Sequence, residues 1–342
     1  MKKQTRQGGA KLVDVAKLAR CSPATVSRVL NGNPKVGVSE RERVMSAVTE
    51  LGYVPNGSAR ALRSTRSRLA GAIIPTLNHA IYAAMVDGLE SRLAESGVSL
   101  IINTSGYDND IEFNQARLLV ERGVESIVFV GANHHAKTLE MLDEKRVGYV
   151  FTYTNDPGET GAAIGFDNAK AGATGARFLH DLGHKKFAMI GGITKDNDRA
   201  QGRIDGFLSE LEKLGHDRES VPVFEAPYDV ESGRQAMESL MQVEDPATAV
   251  FCGSDILAAG AVKYCQAKGI DVPGKVSIMG FDNLEIAELT SPDLTTLEVP
   301  ARNMGVHAAD YTLADVKQHA SMRQRELPLR LIVRGSTGAR PD

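Results

Sequence analysis

The sequence predicts an α/β protein in two parts, a small all-α head followed by a larger body of parallel sheets. Three observations carry this. Apolar residues recur at helical spacing between Leu12 and Leu51. From Leu69 onward, short β-rich apolar runs alternate with amphipathic stretches. Charge also changes sign between the parts: up to Arg68 there are 14 Lys/Arg against 4 Asp/Glu, while the rest holds 26 against 39, within a net charge of −3. A basic head on an acidic body points to a polyanion met by the head alone. The 342 residues, 42% hydrophobic and 24% charged, suit a globular chain of about two domains at ~150 residues each.

In the head, Leu12, Val15, Ala16 and Ala19 fall on one face of a first helix. Ser22 is suited to cap a second helix, with Pro23 at its first position, where a missing N–H costs nothing. Val26, Val29 and Leu30 supply that helix's buried face, and Thr25, Ser27, Arg28 and Asn31 fall largely outside it. Asn31, Gly32, Asn33 and Pro34 end it. A third helix is expected from about Ser39, where Ser39-Glu40-Arg41-Glu42 fits a capping box, with Val44, Val48 and Leu51 as its stripe. Two short helices joined by a tight turn, with a third supporting them, make a helix-turn-helix.

These residues carry a resemblance. Asp14-Val15-Ala16, the run from Ser22 to Asn31, Leu51-Gly52-Tyr53-Val54-Pro55-Asn56 and Ala59-Arg60-Ala61-Leu62-Arg63 resemble the headpiece and hinge of the lactose-repressor (LacI/GalR) family, in order and spacing, over about fifty residues. A weaker match runs on to the C-terminus. The chain departs from the family pattern in the turn, where Arg20 replaces Gly and must accept positive φ at of order 1 kcal/mol. Lys11 replaces the usual Thr cap, so the first helix is expected to fray, and Gly37 replaces a Ser as an acceptable cap.

The second helix is expected in the major groove of double-stranded DNA. Arg28 can offer its fork to guanine O6 and N7, and Ala24 can touch a thymine methyl. Thr25, Ser27 and Asn31, with Pro23 at the helix start, suit phosphate contacts that position without specifying. Residues 55–63 are too short for a stable isolated helix. The resemblance implies a hinge helix ordered on DNA, with Leu62 as a minor-groove wedge beside Asn56, Arg60 and Arg63. Replacing Leu62 with Ala should then lower DNA bending and specific affinity together; circular-permutation gel shifts showing unchanged bending would remove the wedge.

In the body, strand candidates are 69–74, 98–103, 124–130, 147–152, 187–191, 221–225, 248–252 and 276–280, separated by helical stretches such as 83–96, 111–122, 169–182, 200–214 and 256–268. Alternating β and α argues for doubly wound parallel sheets covered on both faces, and the count suits two. The resemblance implies a periplasmic-binding-protein-like body of two such subdomains with a ligand cleft between them. The expected domains are 1–54 (headpiece), 55–68 (hinge) and 69–342. Within the last, one subdomain is expected at about 69–166 with 296–325, the other at about 167–295 with 326–336.

Parallel sheets bind ligands beyond the carboxyl ends of their strands. That places His79, Ile81 and Tyr82 after the first strand, Thr152 and Tyr153 after the fourth, and Lys195, Arg199 and Arg203 beyond Gly191-Gly192. Arg203-Ile204-Asp205-Gly206-Phe207 and Gly280-Phe281-Asp282 resemble family effector motifs. Tyr228 falls where the family often stacks an aromatic ring, and Ser254-Asp255 replaces the usual Asn-Asp. Arg203 and Asp282 form a donor fork and an acceptor pair suited to a polyol. The three cations hint at an anion, so the expected effector is a sugar or sugar acid.

Other classes fit less well. Gly-x-Ser-x-Gly, Walker A and paired cysteines are all missing from the sequence, and Gly172 and Gly175 sit inside a helical stretch, a poor dinucleotide fingerprint. His180 and His184 have zinc-pair spacing, but Gly183 ends the helix between them. A small-molecule enzyme on this fold is therefore disfavoured and no cofactor is expected. A stand-alone sugar-binding protein would have no use for the basic head. No apolar run reaches the ~20 residues of a membrane helix, and Met1 to Ala10 shows no secretory pattern. Cys21, Cys252 and Cys265 read as reduced thiols. A cytoplasmic homodimer reading a pseudo-palindromic operator is expected; the nine residues from Arg334 to Asp342 hold no heptad helix for tetramers.

Overall fold

The computed structural model describes residues 10–54, 67–158, 161–314 and 316–340. It divides into a head unit ending at Ser67 and a body starting at Arg68. The hinge residues Asn56, Arg60, Leu62 and Arg63 lie outside the described residues.

Among the described residues the head is three helices, α1 (Leu12–Leu18), α2 (Pro23–Leu30) and α3 (Val38–Leu51), around Val15, Ala16, Ala19, Val26, Val29, Val44 and Ala47. Arg20 takes φ 53° in the turn, the strain expected there. Ser22 Oγ accepts from Thr25 N–H at 3.1 Å, so the α2 cap forms as read. Two expectations fail. No Ser39 capping box forms: α3 begins one residue earlier, at Val38, with Gly37 as its cap. Lys11 caps with no side chain, yet the Asp14 carboxylate accepts the Lys11 N–H at 2.9 Å, which fixes the start of α1.

The body holds two six-stranded sheets. In the first, β1 (Leu69–Ile74), β2 (Ser99–Thr104), β3 (Ser126–Val130), β4 (Gly148–Thr152) and β5 (Ala163–Gly165) run parallel in the order 2-1-3-4-5. The second repeats that order with β6 (Phe187–Gly192), β7 (Val223–Ala226), β8 (Ala249–Cys252), β9 (Ser277–Asp282) and β10 (Thr295–Glu298). The late strands β11 (Gln324–Glu326) and β12 (Arg330–Ile332) return one to each sheet, β12 antiparallel. Helices α4 (Ala80–Glu95), α5 (Asn109–Glu121) and α6 (Ala136–Lys145) belong to the first sheet. Helices α7 (Asn168–Asp181), α8 (Asp198–Lys213), α9 (Val230–Met241) and α10 (Asp255–Lys268) belong to the second. Then α11 (Ala301–Leu313) packs back on α4, and α12 (Val316–Met322) leads into β11.

The two-sheet reading is therefore correct, and the crossovers shift by a few residues. The second falls after Glu298 rather than near Thr295, because β10 pairs with β9. Glu326 stays with the first sheet through β5. Strands β5, β10, β11 and β12 have three or four residues each, too short for alternation to show in sequence. Gly172 and Gly206 have a packing role: a Cβ on either would strike the facing backbone, so α7 and α8 pass in contact. No helix of the described residues is long and apolar enough to cross a membrane.

Candidate functional site

Order 2-1-3-4-5 creates a switch point in each sheet, between β1 and β3 and between β6 and β8, and ligands bind outside such points. A cavity of about 150 Å³ opens there. His79 follows β1, Tyr107 follows β2, Tyr153 follows β4 and Phe166 follows β5. From the second sheet come Asn197, Arg199 and Arg203 after β6, Tyr228 after β7, Ser254 after β8, and Phe281 and Asp282 at the end of β9. Tyr107, Tyr153 and Asp282 sit at φ 61°, 59° and 110°, left-handed conformations that cost a side-chain-bearing residue of order 1–3 kcal/mol each. The strain gathers where the strand-end loops must aim side chains inward.

Arg203 is the best-defined group in this cavity. The α7–α8 contact brings Asn168 Oδ1 to its Nη1 at 2.6 Å, Tyr228 Oη accepts from its Nη2 at 3.1 Å, and the guanidinium lies over Phe281 at 4.6 Å. It is 7% exposed, and its Nε has no partner among the described residues. A buried donor left open costs about 1–3 kcal/mol. Gly192 makes room for Tyr228, whose ring a Cβ at 192 would strike. On the opposite lobe Tyr107 Oη lies 3.2 Å from Tyr82 Oη and 3.3 Å from His79 Nδ1, forming a chain of hydroxyl and imidazole groups. Burial lowers the His79 pKa, keeping the ring neutral, and raises those of Tyr82, Tyr107 and Tyr153. His79 meets Tyr228 edge-on across the cleft at 5.3 Å.

Asp282 accepts from Ser254 Oγ at 3.0 Å. Burial and then the neighbouring Asp255 push its carboxyl well above the usual range, with Arg203 opposing. Asp255 itself anchors the loop after β9: it accepts from Thr296 Oγ1 and from Leu284 N–H, each at 2.7 Å. Burial raises it to about 6. The folded chain thus holds a proton that the unfolded chain, near 3.8, has released. This contribution to stability falls as pH rises from about 4 to about 6, by roughly 2–3 kcal/mol, and is flat above. Urea unfolding across that window should show the slope, and Asp255→Asn should flatten it.

Of the residues expected to bind the effector, the structure brings together His79, Tyr82, Arg203, Tyr228, Ser254 and Asp282. Two fall outside. Thr152 is fully buried and its hydroxyl donates to the Phe129 carbonyl at 2.6 Å, because the last residue of a central strand points into the sheet's packing. Lys195 is exposed on the loop before α8 and does not line the cavity. Arg199, the third cation, does line it but is paired with Asp198 at 2.7 Å. Tyr107 and Phe166 follow strands as the strand-end rule requires, yet nothing in their local sequence marks them. His180 and His184 do not converge: His180 pairs with His216 at 3.0 Å, and His184 lies between Thr248 and Ser277.

On the head, Pro23, Ala24, Arg28 and Asn31 are exposed along α2, with Thr25 and Ser27 half-buried beside them. Ala24, Arg28 and Asn31 are spaced i, i+4, i+7, one face of the helix. Arg28 has no shape-filling role here, since Val26 and Val29 carry the packing.

Comparisons with known proteins agree with this two-part architecture. Residues 11–56 match the model of bacterial regulatory proteins of the lacI family, and residues 176–337 match a periplasmic binding protein-like domain. Catabolite control protein A of Priestia megaterium is 30% identical over 87% of this chain and 90% of its own. The transcriptional repressor CytR of Escherichia coli K12 is 29% identical, covering all of both chains. Among solved structures, a lac repressor dimer bound to operator and the anti-inducer ONPF superposes with TM-score 0.86 at 24% identity, covering 97% of this chain and 100% of that one. The regulator CelR in complex with cellobiose superposes with TM-score 0.68 at 28% identity, covering 96% and 99%. A basic helix-turn-helix joined to a two-lobed body with a cavity at its switch points, matched along its whole length, belongs to the lacI family of bacterial regulatory proteins, DNA-binding transcription factors under effector control.

Proposed function

We propose that this chain is a cytoplasmic homodimeric repressor that reads a pseudo-palindromic operator through α2 and Leu62 and is controlled by a sugar or sugar acid held between Arg203 and Asp282. The observation that supports the effector reading is the buried Arg203, which has an unpartnered Nε and lines a cavity that also offers the Asp282 carboxyl and several hydroxyl groups. Polyols carry adjacent donors and acceptors, which is what such a site leaves unfilled. Effector occupancy alters the seating of the two lobes in each protomer and so the spacing of the two hinges. Coupling of this kind is worth about 1–3 kcal/mol in operator affinity.

A thermal-shift screen of neutral aldoses, aldonic acids and nucleosides, followed by operator titrations with each hit, tests this. A hit that stabilises the body and changes operator affinity supports it, while stabilisation by nucleosides alone would overturn the sugar class. Equal affinity for an aldose and its acid would show that the cations do not select an anion. On the DNA side, Arg28→Ala should cost about 1–3 kcal/mol and relax selectivity at one base pair. Uniform loss over all operator variants would make Arg28 a phosphate contact.

A further inference from the structure

Beside the cavity, β3 ends in a turn at residues 130–132 that is held from both lobes. From the second lobe, Arg199 Nη1 donates to the Val130 carbonyl at 3.0 Å, and Asp198 Oδ2 accepts from the Ala132 N–H at 3.0 Å. Asp198 Oδ1 also accepts from Arg199 Nη1, so the two side chains grip as a unit. Gly131 lies between them at φ 90°, and a Cβ there would run into both. From the first lobe, Gly131 N–H donates to the Thr152 carbonyl at 2.8 Å, and the Gly131 carbonyl faces His134 Nε2 at 3.0 Å.

His134 is set for that one task. Its side chain is 1% exposed, stacked on Phe151 at 4.8 Å and tilted against Phe129 at 4.9 Å. A carbonyl can only accept, so Nε2 carries a proton. Glu112, itself 7% exposed, reaches Nδ1 at 2.7 Å and fixes that orientation. Four consecutive backbone polar groups, from the Val130 carbonyl to the Ala132 N–H, are thus each satisfied, two by each lobe. Asp198, His134 and Glu112 lie outside the cavity, whereas Arg199 lines it.

We propose that the turn at residues 130–132 is the latch that holds the two lobes closed, with Asp198, His134 and Glu112 as positioning residues that set Arg199 in the cleft. Closing the lobes costs each its solvent contacts, and the latch returns a matched set of hydrogen bonds only when the turn is presented in one conformation. Small movements at the cavity edge, through Arg199, are then converted into open or closed lobes. The inference rests on the reading of the cleft as an effector site. Its test uses the ligand-free full chain, so failure leaves that reading standing.

Hydrogen exchange of the peptide spanning 127–135 and solution scattering should be measured on wild type, Asp198→Ala, Glu112→Leu and Glu112→Gln. Asp198→Ala and Glu112→Leu should speed exchange at Ala132 on the order of tenfold, the equivalent of one lost buried hydrogen bond, and raise the radius of gyration. Glu112→Gln, whose amide can still fix the ring with Nε2–H toward Gly131, should behave as wild type in both. Faster exchange with unchanged scattering would overturn the proposal, showing a local contact rather than a latch. So would wild-type exchange in Glu112→Leu, which would remove His134 from the device.

Discussion

Operator affinity should fall by about 10³–10⁵-fold as monovalent salt rises from about 50 to about 200 mM. The expectation comes from the head. Lys11, Lys17, Arg20, Arg28, Lys35 and Arg43 are all exposed there, and Arg41 is tied to the Asn33 carbonyl. Two heads on one duplex meet of order 6–10 phosphates, and each phosphate neutralised releases condensed counterions at a slope near −0.9 per contact. The N-terminus of α2 adds backbone donors directed at the same backbone, with Pro23 removing no needed N–H. The acidic body, with 39 acidic against 26 basic residues after Arg68, opposes binding, and because salt screens that repulsion it makes the net slope shallower rather than steeper. Fluorescence anisotropy on one operator across four salt concentrations measures the slope. A drop of less than tenfold would mean that the head does not carry the affinity, and the DNA reading of α2 would go with it.

Arg203→Met should abolish the effector response, lowering effector affinity by about 2–4 kcal/mol, on the order of 30- to 1,000-fold, while leaving effector-free operator binding intact. Methionine keeps an unbranched apolar stem, so the helix packing at Gly172 and Gly206 is undisturbed, although the guanidinium stacked on Phe281 is lost. What is lost is the charged fork, with its open Nε and its bonds to Asn168 and Tyr228. Arg203 has no ion-pair partner among the described residues, so its removal strands no carboxylate in a salt bridge. It does strand the buried Asn168 Oδ1, so the melting temperature should hold or fall by only a few degrees. Isothermal titration with the strongest hit of the effector screen, together with operator binding in its presence and absence, separates the two effects. Undiminished effector affinity would show that the ligand sits elsewhere.

How much of this was legible in the sequence follows from what is local. The head's cap at Ser22 and the exposed face of α2 depend on residues a few positions apart, so spacing alone reports them, whereas the strained Arg20 turn was read from the family resemblance. The long strands and helices of the body are periodic over enough residues to be read; the rule that sites lie after strands then pointed to His79 and Arg203, while the family resemblance supplied Tyr228 and Asp282 and reinforced Arg203. Strands β10, β11 and β12 fell below that length, and the lobe boundaries moved with them. Thr152 and Lys195 were misplaced because position after a strand does not say which way a side chain turns. The bond from Arg199 to the Val130 carbonyl, the support of Arg203 by Asn168 and the burial of His134 against Glu112 join residues from different elements, 22 positions apart in the last case and 35 in the Asn168 pair. The sequence determined that there are a basic reading head and a two-sheet body. Which cations remain free to meet a ligand was decided only by packing, because a charge is neutralised by whatever lies within a few ångströms, and that neighbour is set by chain crossings that no local pattern encodes.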